Sequence, residues 1–78
     1  MHKKVLLENV DKIHTTEMGI GRIQKNLEIT EEPVDYCISK LKQENAEVRK
    51  EGKNYYVHVD DCIITINSSS FTIITAHK

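Results

Sequence analysis

The chain has 78 residues, with 11 basic and 12 acidic side chains and a net charge of -1. This length predicts a single small domain, residues 1–78, whose thin core would gain stability from a homo-oligomer or a bound ligand. The near-neutral charge argues against a general nucleic-acid coat protein and against long nucleic acid as a partner. No apolar run reaches the length of a secretory signal or a membrane span, so we expect a cytoplasmic protein with no membrane partner.

The helical half of the chain, about residues 3–45, has apolar side chains at the spacing of amphipathic helices. This spacing predicts three helices, over about residues 3–13, 17–27 and 31–44. Their buried stripes would consist of Leu6, Val10 and Ile13, of Ile20, Ile23 and Leu27, and of Val34, Cys37, Ile38 and Leu41. Each helix would therefore turn one apolar face toward a common core.

Capping residues indicate where two of these helices begin. Thr15 or Thr16 would cap the second helix, and Thr30 would cap the third. Gly19 and Gly21 lie inside the second helix, where each costs about 1 kcal/mol relative to alanine. We therefore expect a neighbouring element to pack closely against that turn.

The sheet half of the chain, about residues 46–78, changes to the apolar period of two that is typical of strands. Four strands are predicted, over about residues 47–50, 55–59, 62–67 and 71–77. Their short connections favour an antiparallel meander. The sequence therefore predicts an α+β fold, with two to three N-terminal helices packed on one face of a C-terminal antiparallel meander of three to four strands.

The turn lengths predict the register of the sheet. A two-residue turn pairs Val59 with Cys62, and a three-residue serine turn pairs Thr65 with Ile73. One face would then be a core face, made of Tyr55, Val57, Val59, Cys62, Ile64, Ile66, Thr72, Ile74 and Ala76. The other would be mixed, made of Tyr56, His58, Ile63, Thr65, Asn67, Phe71, Ile73, Thr75 and His77. A mixed face is typical of a surface that meets a partner or a ligand.

A first candidate binding cluster lies where a loop enters the second helix. It contains His14, Thr15, Thr16, Glu17 and Arg22. Free backbone N–H groups, two hydroxyls and a guanidinium are suited to holding an anion. The alternative is that a threonine only caps the helix and that the histidine and the arginine are surface residues.

A second candidate cluster lies on the mixed face of the predicted sheet. Its members are Tyr56, His58, Thr65, Asn67, Thr75, His77 and Lys78. Asp61 would lie opposite His77 and orient its ring. Histidine is suited to proton transfer near neutral pH, and Tyr56 could stack on a base. The alternative is an exposed strand end with incidental polar residues.

Other chemistries have no matching motif. The chain lacks a Cys–His metal spacing, a nucleophile elbow and a phosphate-binding glycine loop, so no metal and no cofactor is expected. Asp60 and Asp61 are more typical of a polar hairpin turn than of a cation site. The two cysteines, Cys37 and Cys62, are predicted to be reduced core residues, with a disulfide or a metal site as the alternatives.

Three stretches of the chain resemble a known family. They are residues 11–17 (DKIHTTE), 61–67 (DCIITIN) and 72–78 (TIITAHK). They look like a small bacterial and phage family catalogued as a domain of unknown function, number thirty-seven eighty-one. The resemblance implies a protein of a bacterial or phage-infected cell, and it carries no activity.

A more distant resemblance, in the order of elements, is to the RNase-like superfamily of barnase, EndoU, colicin and RelE-type toxins. The order is a histidine (His14), a helical arginine (Arg22), a further helix, and a meander that ends at Thr75 and His77. This resemblance implies an endoribonuclease in which His77 or His14 is the general acid or base. Arg22 or Lys78 would stabilise the phosphate.

Three functions are therefore carried forward. The first is a non-catalytic binding module for a small anionic or nucleotide-like, phosphate-bearing ligand, as in phage counter-defence proteins that sequester a signal nucleotide. The second is a toxin-like endoribonuclease on the same scaffold. The third is a protein-interaction or inhibitor module that docks its mixed face on a host protein.

Overall fold

A computed structural model describes residues 2–78 and confirms the predicted α+β class. The elements are α1 (His2–Glu8), a short 3-10 helix (Val10–Lys12), α2 (Glu17–Leu27), α3 (Pro33–Leu41), β1 (Glu47–Glu51), β2 (Asn54–Val59), β3 (Cys62–Asn67) and β4 (Ile73–His77). The four strands form one antiparallel sheet in the order β1-β2-β3-β4. No helix within residues 2–78 is long and apolar enough to cross a membrane.

The helices cover one face of this sheet and enclose a single apolar cluster. The three α-helices and the strands β2, β3 and β4 all contribute fully buried side chains to it. These are Leu6, Ile23, Leu27, Leu41, Val57, Ile64, Ile66 and Ile73. Removing such side chains from water is the main stabilising term, roughly 1.5–3 kcal/mol for each one. The opposite face of the sheet, which we call the outer face, is left uncovered by the helices.

The first and third helices differ from the prediction at their ends. The first predicted helix is interrupted at Asn9, whose side-chain amide donates to the Val5 carbonyl at 2.8 Å. The third helix is capped by Glu32 and not by Thr30, because Pro33 occupies the first helical position and the cap directly precedes it. The Glu32 carboxylate accepts from Asp35 N at 2.6 Å. This helix ends at Leu41, three residues earlier than predicted.

The bounds predicted for α2 are confirmed, and so is the close packing at one of its two glycines. Thr16 is the N-cap, with its Oγ1 accepting from Gly19 N at 3.0 Å. Gly19 is buried against Thr15, whereas Gly21 faces open space. Gly19 therefore belongs to the buried stripe, and Ile20, which was expected there, is 38% exposed.

The register of the first predicted hairpin is confirmed, and that of the second is wrong. Val59 pairs with Cys62 as expected, but Thr65 pairs with Thr75 rather than with Ile73. A β-bulge at this point inserts one extra residue into β4. Ile73 is consequently buried in the core and Ile74 is 41% exposed, the reverse of the expected faces.

The serine turn accompanies this shift. Phe71 adopts a left-handed backbone, with φ of 58°, so that β4 begins only at Ile73. Thr72, expected on the core face, is half-buried, and Phe71, expected on the mixed face, packs against the core cluster.

His14 joins the two halves of the chain at the edge of β4. It forms a single parallel bridge with Thr72. His14 N donates to the Phe71 carbonyl at 3.2 Å, and Ile73 N donates to the His14 carbonyl at 2.7 Å. The start of α2 is thereby fixed beside the first residues of β4.

Candidate functional site

The strand register arranges the outer face in two neighbouring rows. One row runs across the sheet as Glu47, His58, Ile63 and His77. The next row runs as Arg49, Tyr56, Thr65 and Thr75. Side chains directly opposite each other on neighbouring strands have Cβ atoms about 4.5–5.5 Å apart, so each row is a line of touching side chains.

These rows form an open concavity on the outer face. Its volume is about 330 Å³, and its lining residues are Arg49, Glu51, Tyr56, His58, Ile63, Thr65 and His77. All four strands contribute to it, because the sheet is a meander of immediate neighbours. We call it the outer-face concavity.

Thr65 forms the floor of the outer-face concavity. It is only 7% exposed, and among residues 2–78 it is the one polar residue that is buried. Tyr56 and Thr75 lie directly beside it on the two flanking strands and cover it from both sides. A threonine hydroxyl at the base of a concave surface is well placed to hydrogen-bond a ligand.

The walls around this floor combine one arginine, two histidines, one tyrosine and one carboxylate, that of Glu51. Arg49 contacts Glu47 only loosely, with the nearest N and O atoms 3.8 Å apart and both side chains well exposed. His58 and His77 lie on either side of Ile63 in one row, two strand spacings or roughly 10 Å apart. The half-buried ring of Tyr56 lies between Arg49 and Thr65.

Two lining residues, Arg49 and Glu51, were missed from the sequence. The available signal was the Gly52-Lys53 pair, a two-residue connection in which Gly52 has φ of 60°. Such a turn fixes the β1–β2 register and places Arg49 opposite Tyr56.

The second predicted cluster is largely assembled on the outer face, with two exceptions. Tyr56, His58, Thr65, Thr75 and His77 lie there together. The side-chain oxygen of Asn67 instead accepts from the backbone N–H groups of Ser69 and Ser70 and so shapes the serine turn. Lys78 forms an ion pair with Glu28 at 3.2 Å.

The expected orientation of His77 by Asp61 is wrong. The bulge shifts β4 along β3, so that Ile63 lies opposite His77 and Asp61 lies beyond the paired residues. His77 Nδ1 lies 3.3 Å from the Lys78 carbonyl oxygen.

The first predicted cluster lies elsewhere and uses its polar groups within the fold. The His14 ring lies between the Lys12 carbonyl, 2.8 Å from Nδ1, and Thr72 Oγ1, 3.0 Å from Nε2. Thr15 Oγ1 donates to the Ile73 carbonyl at 3.0 Å, and Thr16 caps α2. Arg22 lies exposed on α2.

His14 and His77 do not share a site. His14 is bridged to Thr72, just before β4, and His77 is the last residue of that strand. Thr72 and His77 are five positions apart in extended chain, which corresponds to roughly 17 Å. The two histidines that were the alternatives for the general acid or base therefore lie in separate parts of the fold.

A second concavity, of about 250 Å³, lies between α3 and the β2–β3 turn. Its lining residues are Leu27, Tyr36, Lys40, Asp60, Asp61, Cys62 and Lys78. Lys40 Nζ donates to Asp60 at 2.8 Å, and Asn45 donates to the other Asp60 oxygen at 2.9 Å. These hydrogen bonds, that of Lys40 first, hold the pKa of Asp60 below its usual range. The charges of this second concavity are thus largely used within the fold.

The two cysteines are free thiols in the core. Burial raises the pKa of the Cys37 thiol to about 12, with smaller contributions from Cys62 and Glu32. Burial also raises the pKa of Cys62, whose Sγ donates to the Val59 carbonyl at 3.0 Å. Across residues 2–78, no group of three or more His, Cys, Asp or Glu side chains is arranged to hold a metal ion.

Comparisons with known proteins place the chain in a family. The model of the family described as "Protein of unknown function (DUF3781)" matches residues 7–77. No curated protein and no solved structure matches the chain. Because the family match spans nearly its whole length, the protein belongs to the DUF3781 family.

Proposed function

We propose that the protein is a non-catalytic binding module whose outer-face concavity takes a small phosphate-bearing ligand of nucleotide-like chemistry. One observation carries the proposal: a single concavity brings the Arg49 guanidinium, two imidazoles and the Tyr56 ring around the largely buried Thr65. Cationic and aromatic groups around a shared floor are the combination that a phosphorylated, ring-containing ligand requires.

Each wall has a distinct task in this proposal. Arg49 binds phosphate oxygens through its planar set of N–H donors. Tyr56, its direct neighbour, offers a ring face on which a base stacks. His58 and His77 add hydrogen-bond donors from either side of Ile63, and Thr65 hydrogen-bonds a polar group at the floor.

The size and the charge of the protein agree with a compact ligand. A volume of about 330 Å³ is at the small end of the range for small-molecule pockets, roughly 300–1,000 Å³. The net charge of -1 gives no long-range attraction for an extended polyanion. A protein that holds a signal nucleotide without converting it lowers the free concentration of that nucleotide, which is the sequestering role in phage counter-defence.

The test is isothermal titration with inorganic phosphate, adenosine mono- and diphosphate, and a cyclic dinucleotide. The chain provides a matched control, because Arg22 and Arg49 are its only arginines and only Arg49 lines the outer-face concavity. We expect Arg49→Ala to weaken binding at least tenfold and Arg22→Ala to leave it unchanged. Absence of heat with every compound would contradict the proposal and favour docking of the outer face on a protein.

A second candidate function rests on the position of His58 and His77. Two imidazoles on either side of one concavity are able to act as general base and general acid on an RNA phosphodiester. One removes the proton of the 2′-hydroxyl, whose oxygen attacks phosphorus, and the other protonates the departing 5′-oxygen. RNA that stays intact with the purified protein would exclude this candidate, whereas cleavage lost in both His58→Ala and His77→Ala would establish it.

A further inference from the structure

The two edges of the sheet differ in their protection against pairing. At the β1 edge the strand carries four charged residues among five, Glu47, Arg49, Lys50 and Glu51. Charged edge strands resist pairing with another strand. At the other edge, β4 is bridged only at its start, where His14 meets Thr72. Within the described residues, the stretch Ile74–His77 has no strand on that side.

Exposed apolar side chains accompany this unpaired stretch. Ile74, in the bulge, is 41% exposed. Met18 and Ile20, which are 76% and 38% exposed, belong to the first turns of α2. That helix start is held beside β4 by the hydrogen bond from Thr15 Oγ1 to the Ile73 carbonyl. A strand added at this edge would therefore gain backbone hydrogen bonds and also cover the exposed Ile74 side chain.

We infer that the unpaired edge of β4 binds a second copy of this chain, strand against strand and antiparallel, about a two-fold axis at Ala76. The occupant follows from self-complementarity. The pairing sets Thr75 opposite the partner's His77 and Ile74 opposite the partner's Lys78, so no two like charges face each other. The same operation at the β1 edge, centred on Arg49, would set the two arginines together and Glu47 against the partner's Glu51.

The bulge and the His14 bridge exclude the neighbouring registers, so that an axis at Ala76 is the arrangement that fits. Residues opposite each other in an antiparallel pair must point to the same face of the sheet. An axis at Thr75 would set Ile73, a core residue already bonded to His14, against the partner's His77 of the outer face. An axis at His77 would set the two histidines together and Ala76, which is fully buried, against the partner's exposed Lys78.

This interface extends the outer face across two copies. The two-fold axis is perpendicular to the sheet, so the outer faces of both copies lie on the same side. His77, which lines the outer-face concavity, then has the partner's Thr75 as its direct neighbour. The partner therefore contributes to the rim of each concavity. The inference rests on the strand edge alone and does not require the proposed ligand.

The first test is the mass in solution, measured by light scattering during size-exclusion chromatography over a dilution series. We expect a dimer in the micromolar range. Ile74→Lys places a charge in the edge next to the partner's Lys78 and should raise the apparent dissociation constant at least tenfold, with an unchanged circular dichroism spectrum. Val5→Lys is the matched control, because Val5 has nearly the same exposure, 39%, but lies on α1. A monomeric wild type, or a dimer insensitive to Ile74→Lys, would overturn the inference.

The second test addresses the register by disulfide cross-linking. Thr75→Cys and His77→Cys copies are mixed and oxidised, since opposite positions have Cβ atoms close enough for a disulfide. The mixture should cross-link more than tenfold faster than Thr75→Cys copies alone, whose new thiols would lie on a diagonal. Equal rates would overturn the register, and no cross-linking in either sample would overturn the interface.

Discussion

Gly19 lies directly against the side chain of Thr15, so that a Cβ atom at position 19 would overlap the Thr15 hydroxyl. That hydroxyl donates to the Ile73 carbonyl at 3.0 Å and thereby fixes the start of β4 beside α2. The glycine is therefore a packing requirement of the helix–sheet junction. Gly21, two residues later, has open space where its Cβ would be.

The two glycines should respond to alanine with opposite signs. Gly21→Ala should raise the free energy of unfolding by up to about 1 kcal/mol, the helix-propensity gain. Gly19→Ala has the same gain but must displace Thr15, so we expect a net loss of roughly 1–3 kcal/mol, as for other overpacked sites. Urea denaturation of the two variants measures both. A stabilised Gly19→Ala variant would show that the junction yields easily.

The threonine at the start of α2 should matter for stability and its counterpart before α3 should not. Thr16→Ala removes the hydroxyl that accepts from Gly19 N and should cost about 1 kcal/mol. Thr30→Ala is the control, because Thr30 is exposed and Glu32 is the cap of α3. Thermal unfolding of both variants tests this. Equal melting temperatures for the two would contradict the assigned caps.

The Lys40–Asp60 pair should make stability depend on pH. The pKa of Asp60 is lowered by its hydrogen bond from Lys40, and the pKa of Lys40 is raised by the same bond. The pKa of the Asp60 carboxyl is lower in the folded than in the unfolded chain. Its contribution to stability is therefore present above the unfolded pKa of about 3.9 and is lost as the pH falls through the folded pKa. The contribution of Lys40 to stability is present below its unfolded pKa of about 10.4 and is lost as the pH rises through its raised, folded pKa.

Asp60→Asn is the variant that isolates this charge, because asparagine tolerates the left-handed backbone at position 60, where φ is 51°. The unfolding free energy of the variant should decline less than that of the wild type between pH 5 and the acid limb below about pH 4. Asp61→Asn, which removes a neighbouring carboxylate, serves as control. Parallel acid limbs for wild type and Asp60→Asn would contradict the assigned pair.

The core thiols should be unreactive in the folded protein. With the pKa of Cys37 near 12, the thiolate that reacts with alkylating reagents is scarce at pH 8, and Cys62 is also buried with a raised pKa. Iodoacetamide should therefore modify neither thiol until urea unfolds the chain. A Val5→Cys variant, whose position on α1 is 39% exposed, should gain one label under native conditions. Rapid labelling of the folded wild type would contradict this burial.

The parts of the fold that agreed with prediction are those specified by local signals. The bounds of α2 follow from a capping threonine and an apolar stripe that ends at Leu27. The β2–β3 register follows from a two-residue turn after Val59, which leaves one arrangement. Each signal lies within the element that it defines.

The bulge in β4 was missed because Ile73 and Ile74 are chemically identical. Burial of either one gives the same transfer free energy, so alternation in the sequence cannot decide between them. The choice is made by His14 and Thr15, which bond to Ile73 from 58 or more positions away. No local pattern contains that information.

The outer face was predicted better than the His14 cluster for a related reason. Alternation along β2 and β3 places Tyr56, His58 and Thr65 on one face regardless of distant contacts. The His14 ring and the Thr15 hydroxyl were predicted to be free to bind an anion. Their hydrogen bonds to Thr72 and Ile73 arise only in the folded chain.

The bulge also determines where this protein tolerates a change in length. Loss of Ile74 would restore plain alternation, with Ile73 and Ala76 still in the core and Thr75 and His77 still on the outer face. Loss of a residue from the regular ladder of β3 would turn every later side chain of that strand to the wrong side. The strand thus contains a single removable residue, and chains one residue shorter at this place can keep both the core and the concavity.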